Sequence, residues 1–272
     1  MLPSMDRAEL TDAQWERLRP MLPPQKPRSG RPAKDHRIVL EGILWIMRTG
    51  APWRDLPSRF GSWRTVSSRF YRWRSAGVWD VILTELQRQA DADGRLDWSL
   101  HFVDSTVVRA HQHAAGAKGA DPPAEALGQS RGGFSTKLHL RSERSGKPLV
   151  VVLTAGERHE QPVLSALLGA GAVKRPGRGR PRVRPDAVVG DKGYSSGAVR
   201  HYLRDRGIAA VIPAKAYQSP RPGFNRGAYR ERNVVERLIN RLKQFRRVAT
   251  RYEKRAANYQ AMVTLAAILL WL

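Results

Sequence analysis

The stretch DAVVGDKGYSSGAVRHYLRDRGIAAVIP, residues 186–213, decides the fold class of this chain. DAVVGD (186–191) is a short apolar run that is typical of a buried strand, and IAAVIP (208–213) is a second run of the same kind. Between them, SSGAVRHYLRDRG (195–207) begins with a serine cap and ends at Gly207, which indicates a helix. A strand, a helix and a strand in succession predict an α/β fold.

The residues before this stretch predict three more strands. SLHFVD (99–104) has the composition of a strand, KLHLRSE (137–143) alternates polar and apolar residues, and PLVVVLTAG (148–156) is a buried strand. HEQPVLSALLGAG (159–171) suits a helix, and a long helix is expected from about Tyr229. Loops rich in Gly and Pro are predicted at residues 112–133 and 174–185.

The first ninety residues predict helices instead of strands, with the helical segments at 11–22, 36–50, 62–77 and 78–92. In SWRTVSSRFYRWRSAG (62–77), the polar face includes Arg64, Ser68 and Arg72 and resembles the recognition helix of a helix-turn-helix. The alternative is a charged face that is merely solvated. We therefore expect two domains, a helical DNA-binding domain at 1–95 and an α/β catalytic domain at 96–272.

Charge points to a polyanionic partner. The 272 residues include 48 Lys and Arg against 24 Asp and Glu, a formal net charge of +24, and the pI is near 11.3. This predicts a nucleic-acid partner, because the charge is spread along the chain and not confined to one membrane-binding amphipathic helix. With no cysteine, disulfides and cysteine-ligated zinc are excluded. The start lacks the apolar core of a signal peptide, and the apolar end MVTLAAILLWL (262–272) is too short to span a bilayer, so we expect no membrane contact and a cytoplasmic location.

Two aspartates and one glutamate stand out in this basic background. Asp104 and Asp191 each end a predicted strand, and Glu236 lies on the long helix. Because the carboxyl ends of strands in an α/β sheet converge on one crevice, the two aspartates can meet. An aspartate after a strand is also a common turn residue, so neither one is informative alone.

The long helix places its reactive residue types on one face. At 100° per residue, a sector of about 60° contains Tyr229, Arg232, Glu236 and Lys243. Asn240 and Arg247 fall beside this sector, and the opposite side carries Val234, Leu238, Leu242 and Phe245. An ordinary amphipathic helix with a solvated basic face explains the apolar side but not the narrow sector.

Three carboxylates without cysteine favour a hard divalent cation, Mg²⁺ or Mn²⁺. Two such ions can activate an attacking oxygen and stabilise a leaving oxygen in phosphodiester displacement. Competing metal ligands are His111 with His113 and, after the third predicted strand, His159, but lone histidines near loops are more often surface residues. Lys192, next to Asp191, is a further candidate for DNA contact.

Three motifs together resemble the DDE-type transposases of bacterial insertion sequences, those of family five and its relative family four. HFVDST (101–106) is similar to the first acidic motif of that family and VVGDKGY (188–194) to the second. The spacing Tyr229-x2-Arg232-x3-Glu236-x6-Lys243 fits the third motif at every position. The resemblance runs nearly end to end, including the amino-terminal GRP (30–32) and ILWIMRTGAPWRDLP (43–57).

The resemblance implies an RNase H-like mixed-sheet core in which Asp104, Asp191 and Glu236 ligate two Mg²⁺ ions, with Mn²⁺ as a substitute. Water would attack at the transposon ends, and the freed 3′-OH groups would join target DNA. The partners are then double-stranded DNA and a second copy of the chain, because two ends must be joined, with nucleoid association on DNA. The expected DNA contacts are Tyr229, Arg232, Lys243, Arg247, Lys192, Arg64, Ser68 and Arg72.

Two alternatives remain at this point. A non-catalytic DNA-binding regulator or relic would keep the fold, although the intact acidic triad disfavours it. An RNase H-like nuclease that cleaves without joining differs from a transposase only through the family resemblance.

Overall fold

A computed structural model describes residues 10–25, 34–115, 124–130, 132–175, 179–218 and 223–272. Within these ranges, the strands are β1 (Leu100–Ala110), β2 (Gly128–Ser130), β3 (Gly133–Ser142), β4 (Pro148–Ala155), β5 (Ala187–Val189), β6 (Ala209–Val211) and β7 (Thr250–Arg251). The helices are α1 (Asp12–Leu18), α2 (His36–Thr49), α3 (Trp63–Ser75), α4 (Val78–Ala92), α5 (Leu164–Ala170), α6 (Gly197–Arg204), α7 (Arg226–Arg230), α8 (Asn233–Lys243), α9 (Arg246–Ala249) and α10 (Ala256–Trp271). The GRP of residues 30–32 and parts of both predicted loops lie outside the described residues.

The strands form one mixed sheet. β1 pairs antiparallel with β3, and β3 pairs antiparallel with β4. On its other side β1 pairs parallel with β5, and β5 pairs parallel with β6. The short β2 and β7 attach to β3 and β1, respectively. A three-stranded antiparallel unit continued by parallel strands through α5 and α6 is the RNase H-like arrangement, so the predicted fold class is confirmed.

Two element boundaries differ from the predictions. The first strand does not end at Asp104 but continues to Ala110, because the β-branched residues that follow favour a strand and pair with β3 as far as Ser135. The predicted long helix is two helices, since the chain turns at Glu231 and Arg232 between α7 and α8. Both differences alter where site residues lie.

The amino-terminal helices form where the caps predict them. Thr11 and Gln14 make a reciprocal capping box at the start of α1, and Pro20 converts the end of that helix into a single 3₁₀ turn, because proline has no N–H to continue the α-helical bonds. α2 ends at Gly50, whose φ of 74° is the left-handed conformation that glycine adopts without strain.

Helix α10 joins the amino-terminal helices to the sheet. It packs against α4, α3, α9 and β4 and is buried on nearly all sides, as the apolar terminal segment predicts. The Trp271 indole donates to the Pro148 carbonyl at 2.7 Å, and the Gln87 amide of α4 donates to the neighbouring Leu149 carbonyl at 2.9 Å. Buried side chains from both halves form one continuous cluster. The boundary near residue 95 stays a prediction, but the two parts share a core.

None of the described helices is both long and apolar enough to span a bilayer.

Candidate active site

Parallel pairing brings Asp104 and Asp191 together. β1 and β5 align Leu100 with Ala187 and Phe102 with Val189, so the two aspartates occupy matching positions two residues further along. Neighbouring strands lie about 4.8 Å apart, which sets the spacing of the two backbones. β5 ends at Val189 whereas β1 continues, and the crevice opens where β1 loses its neighbour. Asp104 therefore lies within β1 and not at its end, but the predicted meeting with Asp191 follows from the register.

The backbone around Asp191 orients its carboxylate. Asp191 caps a 3₁₀ turn over Lys192–Tyr194, and its Oδ1 accepts the N–H of Gly193 at 2.8 Å. A Cβ at Gly193 would lie 2.8 Å from the same oxygen, so any larger residue at this position would displace the Asp191 carboxylate. Lys192 is exposed beside this turn.

Asp104 is a half-buried carboxylate under competing influences. Its side chain is 15% exposed, and its Oδ1 accepts the N–H of Ser105 at 2.8 Å. Burial raises the pKa of Asp104, and the nearby charge of Asp191 raises it further, whereas the Ser105 N–H and Arg232 lower it; the net result is a raised pKa.

Arg232 ties Asp104 to Glu236. Its Nη1 lies 3.0 Å from Asp104 Oδ2, and its Nη2 lies 3.0 Å from Glu236 Oε1. Burial lowers the pKa of Arg232, but Asp104, Tyr229 and Glu236 together raise it above its ordinary value. Arg232 is the residue that precedes α8, and Tyr229 belongs to α7, so the turn between the two helices faces the crevice.

Lys243 lies further along the same groove. Helix α8 runs beside β1, and Lys243 near its end donates to Thr106 Oγ1 at 2.6 Å. Burial lowers the pKa of this lysine. The third motif therefore lies along β1 from Asp104 to Thr106, with its members divided between α7, the following turn and α8.

The structure does not support the predicted DNA contact of Arg247. We expected it to contact DNA, but its side chain is 8% exposed and pairs with Glu253 at 2.9 Å. Its guanidinium also lies 5.6 Å from the ring of Trp53 and 5.6 Å from that of Tyr252. The prediction assumed one continuous helix, whereas the chain turns after Lys243 and α9 points Arg247 into the protein.

The other predicted DNA contacts lie at the surface. On α3, Arg64, Ser68 and Arg72 are exposed, whereas Val66, Phe70 and Trp73 of the same helix are buried. Their contact with DNA stays a prediction. His111 and His113 stack on each other with ring centroids 4.7 Å apart.

Sequence reasoning missed two residues of this region. Glu160 accepts from Ser105 Oγ at 3.1 Å and from Lys137 Nζ at 2.9 Å; we had considered its neighbour His159 instead. Tyr194 is fully buried, its hydroxyl lacks a partner among the described residues, and burial together with Asp104, Asp191 and Glu160 raises its pKa. The tyrosine of VVGDKGY was the available signal, but a single aromatic residue after a turn does not reveal a buried hydroxyl.

The donor set fits a hard divalent cation, since all three predicted ligands are carboxylates. In the described part of the chain, however, no three His, Cys, Asp or Glu side chains are grouped closely enough to hold a metal ion. The positive charge that lies between Asp104 and Glu236 is the guanidinium of Arg232.

A mixed RNase H-like sheet with acidic residues at the β1–β5 crevice and on a late helix is compatible with an RNase H-like nuclease and with a DDE transposase, and the family matches decide between them. Residues 99–271 match the family described as the transposase DDE domain, and residues 10–83 match a putative transposase of the IS4/5 family. The chain therefore belongs to the DDE transposases, in the IS4/5 family, as its motifs predict. It is a transposase.

Individual proteins are similar over part of the chain. An uncharacterized protein, y4sN, of Sinorhizobium fredii is 44% identical over 116 residues, which are 43% of this chain and 88% of that protein. A putative transposase for insertion sequence element IS6501 of Brucella ovis is 30% identical over 140 residues, 51% of this chain and 99% of that protein. A solved pre-cleavage Mos1 transpososome is 12% identical, with 90% of this chain and 79% of the other covered and a TM-score of 0.26.

Proposed function

We propose that this transposase binds the terminal inverted repeats of its element, cleaves the ends by metal-dependent phosphodiester hydrolysis and joins the 3′-OH ends to target DNA. The observation that supports the proposal is the placement of Asp104 beside Asp191, with Glu236 linked to Asp104 through Arg232. The two aspartates share a parallel register.

Asp104, Asp191 and Glu236 would hold two Mg²⁺ ions, or Mn²⁺ as a substitute. When bound, such ions activate the attacking oxygen and stabilise the leaving oxygen of a phosphodiester. The protein prepares this site before any ion arrives, because the N–H groups of Ser105 and Gly193 fix the two aspartates. Little reorganisation of these carboxylates is then needed at the moment of reaction.

The cations around the crevice would hold the DNA backbone. Arg232 suits bidentate contact with a phosphate, whereas Lys192 and Lys243 offer point charges on either side of it. The exposed face of α3, with Arg64, Ser68 and Arg72, would read the terminal repeat in the major groove. Because two ends must be joined, we expect a homodimer or a larger assembly on DNA.

The test is a cleavage assay with Mg²⁺ on DNA that carries the ends of the element. Asp104→Asn, Asp191→Asn and Glu236→Gln should each reduce the cleavage rate by at least about 100-fold. Residues that only position a metal ligand cost up to about 100-fold when they are replaced, and the loss of a ligand itself should cost no less. Without divalent cations, binding of end DNA should be retained, because these residues do not neutralise phosphates. Asp205→Asn, at an exposed acid that follows the last residue of α6, is the matched control and should cleave at the wild-type rate.

Full activity in any of the three variants would remove that residue from the metal site. If the wild-type protein cleaves the ends but never joins them to target DNA, its activity is that of a nuclease. An inactive wild-type protein that still binds the ends would favour a DNA-binding regulator.

A further inference from the structure

Arg232 occupies the position between two of the carboxylates that the proposed function assigns to metal binding. It uses separate nitrogens for Asp104 Oδ2 and Glu236 Oε1, each at 3.0 Å. Both oxygens are thereby engaged, and a divalent cation that binds them must compete with the guanidinium. Like charge repels, so the ion and Arg232 cannot share this space at close range.

The arginine also has a structural reason to be there. Asp104 is largely buried and adjacent to Asp191, and an ionised carboxylate in that setting is costly without a partner. The described residues offer Asp104 one cationic side chain within ion-pair distance, that of Arg232. The free protein therefore stabilises its acidic cluster with its own cation.

We propose that Arg232 closes the metal site in the free protein and that a phosphate of the transposon end draws it away, so that divalent cations bind tightly only once DNA is in place. The inference rests on the proposed function, because it assumes that Asp104 and Glu236 are metal ligands. It extends that function by making metal binding depend on the substrate.

The local structure permits this exchange. Arg232 lies in the two-residue turn between α7 and α8, so its side chain can reorient without unwinding either helix. Its side chain is 21% exposed and that of Glu236 is 51% exposed, so the pair is accessible from the crevice. A phosphate offers two oxygens to the guanidinium fork and replaces the two carboxylate contacts with equivalent ones.

Coupling of this kind is reciprocal. If end DNA strengthens metal binding by a given factor, the metal strengthens binding of end DNA by the same factor. A transposase built this way would hold metal weakly while unbound and assemble a complete site only at its ends.

The experiment measures Mn²⁺ binding directly, through the free-ion signal in electron paramagnetic resonance, on the full chain without DNA. Wild type should bind weakly, and Arg232→Ala should bind more tightly by about tenfold or more, because a competing positive charge has been removed. Arg232→Lys should fall between them, since one ammonium lacks the fork that spans both carboxylates. Arg230→Ala removes an exposed charge two residues away and should match wild type.

A second arm adds a short duplex that carries the end of the element, with Asp104→Asn on the same duplex as the blank for ions held by DNA alone. Wild type should now reach the affinity of Arg232→Ala. If the Asp104-dependent affinity of wild type for Mn²⁺ is the same with and without the duplex, the proposal is wrong. This comparison uses wild type alone, so it remains valid even if Arg232→Ala does not fold. If no sample shows Asp104-dependent binding, the metal site itself is wrong and the proposed function fails with it.

Discussion

Arg232 and Arg247 belong to one basic stretch, and both were expected to contact DNA, yet the fold gives them opposite surroundings. Arg232 is part of an accessible ion-pair network at the crevice. Arg247 is enclosed between Trp53 and Tyr252 and paired with Glu253, whose side chain is 4% exposed. The difference teaches that charge and periodicity identify a basic surface, but only the turn after Lys243 decides which arginines reach it.

The largest expected effect tests the buried member of this pair. Arg247→Ala should lower the free energy of unfolding by about 3–5 kcal/mol, because it leaves the Glu253 carboxylate buried without its partner. Urea denaturation followed by circular dichroism measures this loss, and Arg232→Ala should lose clearly less. Adding Glu253→Gln to Arg247→Ala should recover part of the stability. Equal losses in the two arginine variants would erase the distinction between them.

A smaller loss of folding stability is expected at acidic pH. Two buried histidines lie beside buried cationic side chains, and each histidine must be neutral in the folded protein. Arg141 donates to His101 Nδ1 at 3.0 Å, and Lys137 lies near His139. Burial, and secondarily Lys137, lowers the pKa of His139 from 6.5 to about 4, so the unfolded chain binds a proton that the folded chain refuses. The free energy of unfolding is therefore highest well above pH 6.5 and decreases as the pH falls through 6.5. The decrease that His139 causes is about 2 kcal/mol at pH 5.

Unfolding free energies of wild type and His139→Gln between pH 7 and 5 measure this contribution as a difference in slope. His201→Gln, at an exposed histidine of α6, is the control and should keep the wild-type slope. If His139→Gln keeps the wild-type slope, the pKa of the His139 imidazole does not differ between the folded and unfolded states.

The smallest effect concerns the exposed arginines of α3. Arg64→Ala and Arg72→Ala should each reduce the slope of log K against log salt for end DNA by about 0.9, because each removes one phosphate contact. The free energy of unfolding should stay within about 0.5 kcal/mol of wild type, as for other surface substitutions. Equilibrium binding at several salt concentrations gives the slope. An unchanged slope in both variants would remove this face from the DNA interface.

Local patterns predicted most strands of the sheet. The strand, helix and strand of residues 186–213 appear as β5, α6 and β6, because short apolar runs between turn residues leave few alternatives. Asp104 and Asp191 were expected to meet at two strand ends. They meet instead because parallel register aligns them while β1 continues, and register depends on pairing between distant segments.

The remaining features depend on contacts that no local pattern encodes. The helical sector grouped Glu236 and Lys243, which both lie on α8, but it failed for Arg247 because no proline or glycine marks the break after Lys243. The bridge from Arg232 to Asp104 joins two motifs far apart in the chain and depends on the packing of α8 against β1. The buried hydroxyl of Tyr194 is likewise a property of the assembled core.

The position of α10 between the amino-terminal helices and the sheet limits how the two parts of the chain can be exchanged. Trp271 of α10 and Gln87 of α4 hydrogen-bond to adjacent carbonyls at the start of β4, so separating the amino-terminal helices from the sheet would expose buried apolar surface on both parts. A variant with a replaced amino-terminal part would need matching changes in α10 and β4 to keep this shared core packed.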